Sequence, residues 1–238
     1  MKKKILVVAP YEGLLELFAT ILPRYSDRIE IETVVGNLEE GLKKARKAEE
    51  QGFDAIISRG GTTEMIRAEV SLPVIDIEVS GYDYIRAIKM ASNYSGKSAL
   101  VGFPRITSAA NSINELLHTD INIVTVNSSK QVVPALERLR KEGYSLILGD
   151  MIAVRVAKEM DFNILLLTSG EESVSNALES TLYICDCVDG YRKQRDLLKQ
   201  LVETAPETIL AYGPGGEPLY QNGQVEALGC LLYTSRCV

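Results

Sequence analysis

"FDAIISRGGTTEMIRAEVSLPVIDIEVSG" (residues 53–81) and "YSLILGDMIAVRVAKEMDFNILLLTSG" (144–170) follow one pattern. Each opens on a short apolar, β-branched run, turns into a helical stretch, and closes on a second apolar run ending in Ser-Gly. An apolar run of that length bounded by turn residues reads as a strand buried on both faces. Outward from these segments the match continues. "KILVVAP" (4–10) is answered by "KSALVGFP" (97–104), and "LLELFATILPRY" (14–25) by "ITSAANSINELLH" (106–118). The strand "IEIETVVG" (29–36) is answered by "INIVTVN" (121–127), and the charged helix "NLEEGLKKARKAEEQG" (37–52) by "QVVPALERLRKEG" (131–143). A further helix, "YDYIRAIKMASNY" (82–94), joins the two series.

Alternating strands and helices imply βα units and parallel sheets. Right-handed crossovers place helices on both faces of each sheet. A repeat of about ninety residues is too long for a solenoid. The predicted fold class is therefore α/β: two similar doubly wound parallel-sheet lobes, an internal duplication, with a cleft between them. The first lobe spans 1–81 and the second 82–170. A long helix over 171–203 follows as a connector, with a break predicted near Asp189-Gly190. Residues 204–229, with "ETILAYGPGGEPLYQNGQVEALG" (207–229), read as strand, glycine turn, strand and helix start.

Residues 230–238, "CLLYTSRCV", depart from the style of what precedes them. One back-translation, TGT CTC TTA TAC ACA TCT AGA TGT GTA, ends in the palindrome TACACATCTAGATGTGTA and matches two head-to-head transposase ends from a sequencing library. The segment reads as a library scar and is set aside, with Cys230 and Cys237, from fold reasoning.

The net charge of -6 and pI of about 5.1 argue against nucleic-acid binding by this segment, where a basic face is expected. No apolar run approaches the roughly 20 residues of a membrane span. The basic start with its short apolar run is a first strand and not a signal peptide, so a cytoplasmic location with reduced thiols is expected.

Ligands of open parallel sheets bind beyond the carboxyl ends of the strands. Glycine, hydroxyl and arginine collect at those ends here: 10–12, 58–63 and 80–82 in the first lobe, then 102–105, 149–150 and 168–170 in the second. At 58–63, Gly60 and Gly61 let backbone donors approach a ligand, Thr62 and Thr63 offer hydroxyls, and Arg59 a planar fork matched to a carboxylate. A helix start there adds free N–H groups and partial positive charge. The chemistry favours an anion, and a polycarboxylate suits several such ends together. Capping and turn formation alone also account for the threonines. "LILGDMIAVR" (146–155) puts Asp150 where the first lobe has its arginine, so the lobes are not expected to bind alike.

Other candidates are weaker. "SGKS" (95–98) precedes a strand and lacks the first glycine of a phosphate loop. His118, the single histidine, sits at a predicted helix end, which leaves no histidine-based triad or metal site. Cys185 and Cys187 lie two apart on a helix and share no face. Asp76 and Glu78 suit an acid pair or an exposed strand face equally well.

"SRGGTTEMIRAEVSLPVIDIEVSGYDYIRAI" (58–88) resembles the PrpR N-terminal sensor domain of propionate catabolism activators, with its S-R-G turn, I-R helix end, P-V strand and S-G-x-D turn. The resemblance covers about 4–203, and "LLLTSGEESVSNALES" (165–180) matches family wording up to Thr181, where alanine is usual. It implies an effector-sensing domain of an NtrC-like bacterial transcription activator, binding a small organic acid such as the tricarboxylate 2-methylcitrate. Carried onto this sequence, the ligand-binding residues are Arg59, Gly60, Gly61, Thr62, Thr63 and Ser80, with Arg105, Asp150, Ser169, Glu172 and Ser173 from the second lobe. Residues 207–229 resemble the opening of a PAS domain. In the full-length protein the resemblance implies an ATPase module, DNA, an alternative sigma-factor RNA polymerase and homo-oligomerisation; no cofactor or metal is expected. A racemase on the same scaffold is the competing class, but neither lobe places a cysteine at a strand end. A bare oligomerisation module built on 183–202 is the third.

Overall fold

The repeat is realised strand for strand. The computed structural model describes residues 2–119 and 121–222. The first series runs β1 (Lys3–Ala9), α1 (Glu12–Ile21), β2 (Ile29–Val35), α2 (Glu39–Glu50), β3 (Ala55–Ser58), α3 (Gly61–Arg67) and β4 (Val74–Asp76), and α4 (Gly81–Ser92) follows. The second runs β5 (Lys97–Gly102), α5 (Pro104–Leu117), β6 (Asn122–Thr125), α6 (Val132–Lys141), β7 (Tyr144–Gly149), α7 (Met151–Glu159), β8 (Asn163–Leu166) and α8 (Glu171–Glu203). Both sheets are parallel with the same order, β2-β1-β3-β4 and β6-β5-β7-β8.

Period-2 alternation sends successive side chains of a strand to opposite faces. Leu6, Val8 and Ile56 meet Leu42, Ala45 and Ala48 of α2 and Ile66 of α3 on one face of the first sheet. In the second sheet Ala99, Val101 and Ile147 pack under Val132, Leu136 and Leu139 of α6 and Ala153 and Ala157 of α7. Its other face, from Leu100, Leu146 and Leu148, takes Ala110 of α5 together with Tyr84, Ala87, Ile88 and Ala91 of α4. So α4, which leaves the first sheet, packs on the second. The start of α8 returns the exchange: Glu171 pairs with Arg24, and Arg28 lies 3.7 Å from Glu179, both partners flanking α1. Two chain crossings, 77–80 and 167–170, therefore join the lobes.

Three features differ from the sequence reading or refine it. Strand β4 is only three residues long, because after Ile77, whose N–H bonds Ser58 O at 2.8 Å, the chain leaves for the other lobe. The break predicted near Asp189-Gly190 is absent: α8 runs unbroken for 33 residues. One interior glycine costs only about 1 kcal/mol against alanine, too little to stop a helix. His118 ends α5 in the left-handed conformation, φ 49°, as a C-cap.

The chain divides into two compact units, 1–182 and 183–238. In the second, β9 (Leu210–Tyr212) and β10 (Pro218–Gln221) form an antiparallel hairpin closed by a turn with Gly216 at φ 82°. The buried Asn222 ties its base, accepting Ile209 N–H and donating to Glu207 O and Val202 O. The predicted helix start after this hairpin and the 230–238 tail lie outside the described residues.

Candidate functional site

Strand β3 delivers Ser58 and Arg59 to the carboxyl end of the first sheet. Ser58 is structural: it is buried and donates to Val8 O at 2.8 Å. Arg59 points to the other lobe. Its Nη2 donates to Leu167 O and its Nη1 to the Tyr11 hydroxyl, each at 2.6 Å. The Tyr11 hydroxyl also accepts the Ser169 N–H at 3.4 Å. Among the described residues these two bonds use only part of the five-donor guanidinium fork.

Gly60 has φ 58°, a conformation that costs glycine nothing, and no atom stands where a Cβ would project. Its N–H does not point into open space. It donates at 2.8 Å to Asp76 Oδ1, which also accepts the Thr63 hydroxyl at 3.1 Å. An internal carboxylate thus sits at the start of α3. Thr62 faces away: it is buried, donates to Asn37 Oδ1 at 3.1 Å and accepts Leu38 N–H at 3.0 Å. It fixes the loop before α2, where Leu38 has φ 45°. A Cβ placed at Gly61 would come to 3.5 Å from the Leu38 side chain, so the same loop lies over that glycine.

Arg105, on the first turn of α5, makes the reverse crossing. Its Nη1 lies 3.1 Å from Asp76 Oδ2 and its Nη2 holds Glu78. Each lobe thus sends one arginine to the other. Tyr84 stands near both: burial pushes its hydroxyl up to about 12, and the positive charges of Arg59 and Arg105 oppose that rise. Among the described residues its hydroxyl makes no hydrogen bond. Asp150 caps α7, accepting Ile152 N–H at 3.0 Å and Ala153 N–H at 2.9 Å. Burial raises its carboxyl above the ordinary value; those two N–H bonds and the charge of Arg59 work against the rise.

The two crossings meet at Asp83. Ser80 caps α4 in a capping box with Asp83. The same carboxylate accepts Gly170 N–H at 2.8 Å, the Ser173 hydroxyl at 2.5 Å and Arg86 Nη2 at 2.5 Å. Burial works to raise Asp83, but these hydrogen bonds outweigh it and hold the carboxyl below its usual value. Arg86 also holds Glu172 at 3.0 Å, and that bond lowers the Glu172 carboxyl. A Cβ at Gly170 would meet the Arg86 guanidinium, so a side chain there would have to push that arginine aside. Ser169 differs from its neighbours: it is buried, and its hydroxyl has no hydrogen-bond partner among the described residues.

The predicted residues therefore fall into three groups. Arg59, Gly60, Thr63 and Arg105 gather with Asp76 at the strand ends between the lobes, and Asp150 is close enough to feel Arg59. Ser80, Glu172 and Ser173 belong to the Asp83 cluster, with Ser169 on the crossing beside it. Thr62 and Gly61 serve the loop before α2. Tyr11, Asp76, Glu78, Asp83, Tyr84 and Arg86 were not among the predicted contacts; the strand-end position of Tyr11, the alternation of Asp76 and Glu78 and the S-G-x-D turn ending at Asp83 were the signals for four of them. A separate open groove at the sheet edge, lined by Ile123, Thr125, Gln131, Pro134, Ala135 and Arg138, contains none of the predicted residues. Among the described residues no group of acidic, histidine or cysteine side chains is arranged to hold a metal ion, and no helix is long and apolar enough to cross a membrane.

A crystal structure of an NtrC family transcriptional regulator from Clostridium acetobutylicum matches this fold with a TM-score of 0.66. At 24% identity it covers 79% of this chain and 98% of its own, a likeness of fold. An ABC domain in complex with L-Trp from Streptococcus pneumonia is more distant, with a TM-score of 0.43 at 10% identity over 70% of this chain and 74% of its own. So is a periplasmic solute binding protein of an ABC transporter from Actinobacillus succinogenes with bound D-allose, at 0.42, 14% identity, 78% and 92%. None of the curated proteins matches the chain. The profile of the propionate catabolism activator family matches residues 25–189. A duplicated α/β pair of lobes with that match is the sensing domain of a transcription regulator, and not an enzyme. The chain belongs to the propionate catabolism activator family.

Proposed function

We propose that this domain binds a small organic polyacid between its lobes, with a tricarboxylate such as 2-methylcitrate the leading candidate. The reading rests on the reciprocal reach of Arg59 and Arg105. Two guanidinium forks from opposite lobes suit a ligand with at least two separated carboxylates. Gly60, Thr63, Ser80, Asp150, Ser169, Glu172 and Ser173 are the further candidate contacts, with Tyr84 added by its place near both arginines. Arg59 grips Leu167 O, and the chain from Leu167 passes into α8. An acid that engages Arg59 competes with that grip and shifts the crossing at the root of α8. Such a ligand shifts the equilibrium only by its unequal affinity for the two arrangements. In the full-length protein this change is relayed to a PAS module, an ATPase and DNA-binding elements, in a cytoplasmic homo-oligomer.

Thermal unfolding with acetate, citrate and 2-methylcitrate tests the reading. A polyacid at a hundred times its dissociation constant adds about 2.7 kcal/mol. At roughly 2–4 °C per kcal/mol for a unit of this size, the midpoint rises by about 5–11 °C. Absence of any shift with every polyacid at millimolar concentration refutes it.

A further inference from the structure

Asp76 and Glu78 both touch Arg105, but they are held very differently. Asp76 has a fixed seat: its side chain is 10% exposed, and Gly60 N–H and the Thr63 hydroxyl hold its other oxygen. Glu78 is 73% exposed, and Arg105, itself 61% exposed, is its one ion-pair partner among the described residues. An ion pair between two exposed side chains is weak and exchanges readily. From these contacts we infer that Glu78 is an intramolecular competitor for Arg105 that sets which acids the domain accepts.

The inference rests on the proposed polyacid reading and adds a selectivity residue to it. Arg59 gives any carboxylate a first contact. A second carboxylate that takes the Arg105 Nη2 edge displaces Glu78, so the competitor taxes polyacid binding. A monoacid that stops at Arg59 leaves the Arg105–Glu78 pair untouched. Asp76 stays on Gly60 and Thr63 throughout, as a counter-ion that keeps Arg105 near the space between the lobes. Glu78 therefore sets the concentration at which a polyacid is sensed, without contacting the polyacid itself.

Calorimetric titration of the whole chain with citrate, 2-methylcitrate and acetate tests this. The variants are Glu78→Gln, Arg105→Gln and the double variant. Glu78 is exposed, so its substitution leaves the fold intact. Glu78→Gln is expected to tighten polyacid binding by roughly 1.4- to 5-fold, the strength of an exposed pair. It leaves acetate unchanged, and in the Arg105→Gln background it has no effect on any acid. Polyacid binding that Glu78→Gln leaves unchanged or weakens overturns the competitor and spares the proposed function. An equal gain with Arg105 absent overturns it too, by reducing Glu78 to a general repulsive charge. If the wild type binds no polyacid, both readings fall together.

Discussion

Replacing Asp83 by alanine tests how the two chain crossings are tied together. The Asp83 side chain is 0% exposed and takes bonds from Ser80 N–H, Gly170 N–H, the Ser173 hydroxyl and Arg86. Alanine leaves two backbone N–H groups near the helix starts without their acceptor. Arg86 is 48% exposed, so it turns to water and keeps Glu172. Stranding a buried donor costs about 1–3 kcal/mol, and here two are stranded, while the half-exposed Arg86 adds little. The expected loss is therefore about 2–6 kcal/mol, read as urea unfolding midpoints. At roughly 2–4 °C per kcal/mol this lowers the thermal midpoint by about 4–24 °C. Asp83→Asn keeps one acceptor oxygen and is expected to lose less. The pH dependence gives an independent check. Asp83 is held below the ordinary carboxylate value when folded, so between the two values the unfolded chain binds more protons. Its stabilisation is complete above the unfolded value near 3.9 and is lost as pH falls through the lower folded value. Asp83→Asn should flatten that acid limb. A loss below about 1 kcal/mol in Asp83→Ala, well under one stranded charged contact, refutes the tie.

Three further outcomes follow from packing and hydrogen bonding. Gly149→Ala drives a Cβ into the Val101 carbonyl of the neighbouring strand, which cannot step aside, and is expected to cost about 1–3 kcal/mol or more in urea unfolding. Thr62→Val keeps the shape but removes the acceptor for Leu38 N–H, for about 1–3 kcal/mol, with faster amide exchange at Leu38. Ser169→Ala removes a buried hydroxyl that has no partner among the described residues, so the free domain gains about 1 kcal/mol in urea unfolding while its affinity for a polyacid falls.

The architecture was legible because burial writes itself locally. Runs such as 5–9 and 146–148 are apolar without alternation, as strands covered on both faces must be, and their recurrence exposed the duplication. The helix exchange between lobes was not legible, since α4 and α8 present ordinary amphipathic patterns whichever sheet they cover. The site was legible in its donors and not in its acceptors. Arg59, Gly60 and Thr63 announce an anion, yet the anion that meets Gly60 and Thr63 is Asp76, 13 residues beyond Thr63 on the next strand. Nothing at Asp83 distinguishes a capping residue from a hub, because its partners at 170 and 173 arrive only through the fold.

A crystal structure with citrate or 2-methylcitrate bound tests the central claim most directly. The account predicts the acid between the carboxyl ends of the two sheets, one carboxylate on Arg59 and another on Arg105, with Arg105 withdrawn from Glu78. An acid seated elsewhere, as in the groove between β6 and α6, with Arg59 still on Leu167 and Arg105 still on Glu78, contradicts it.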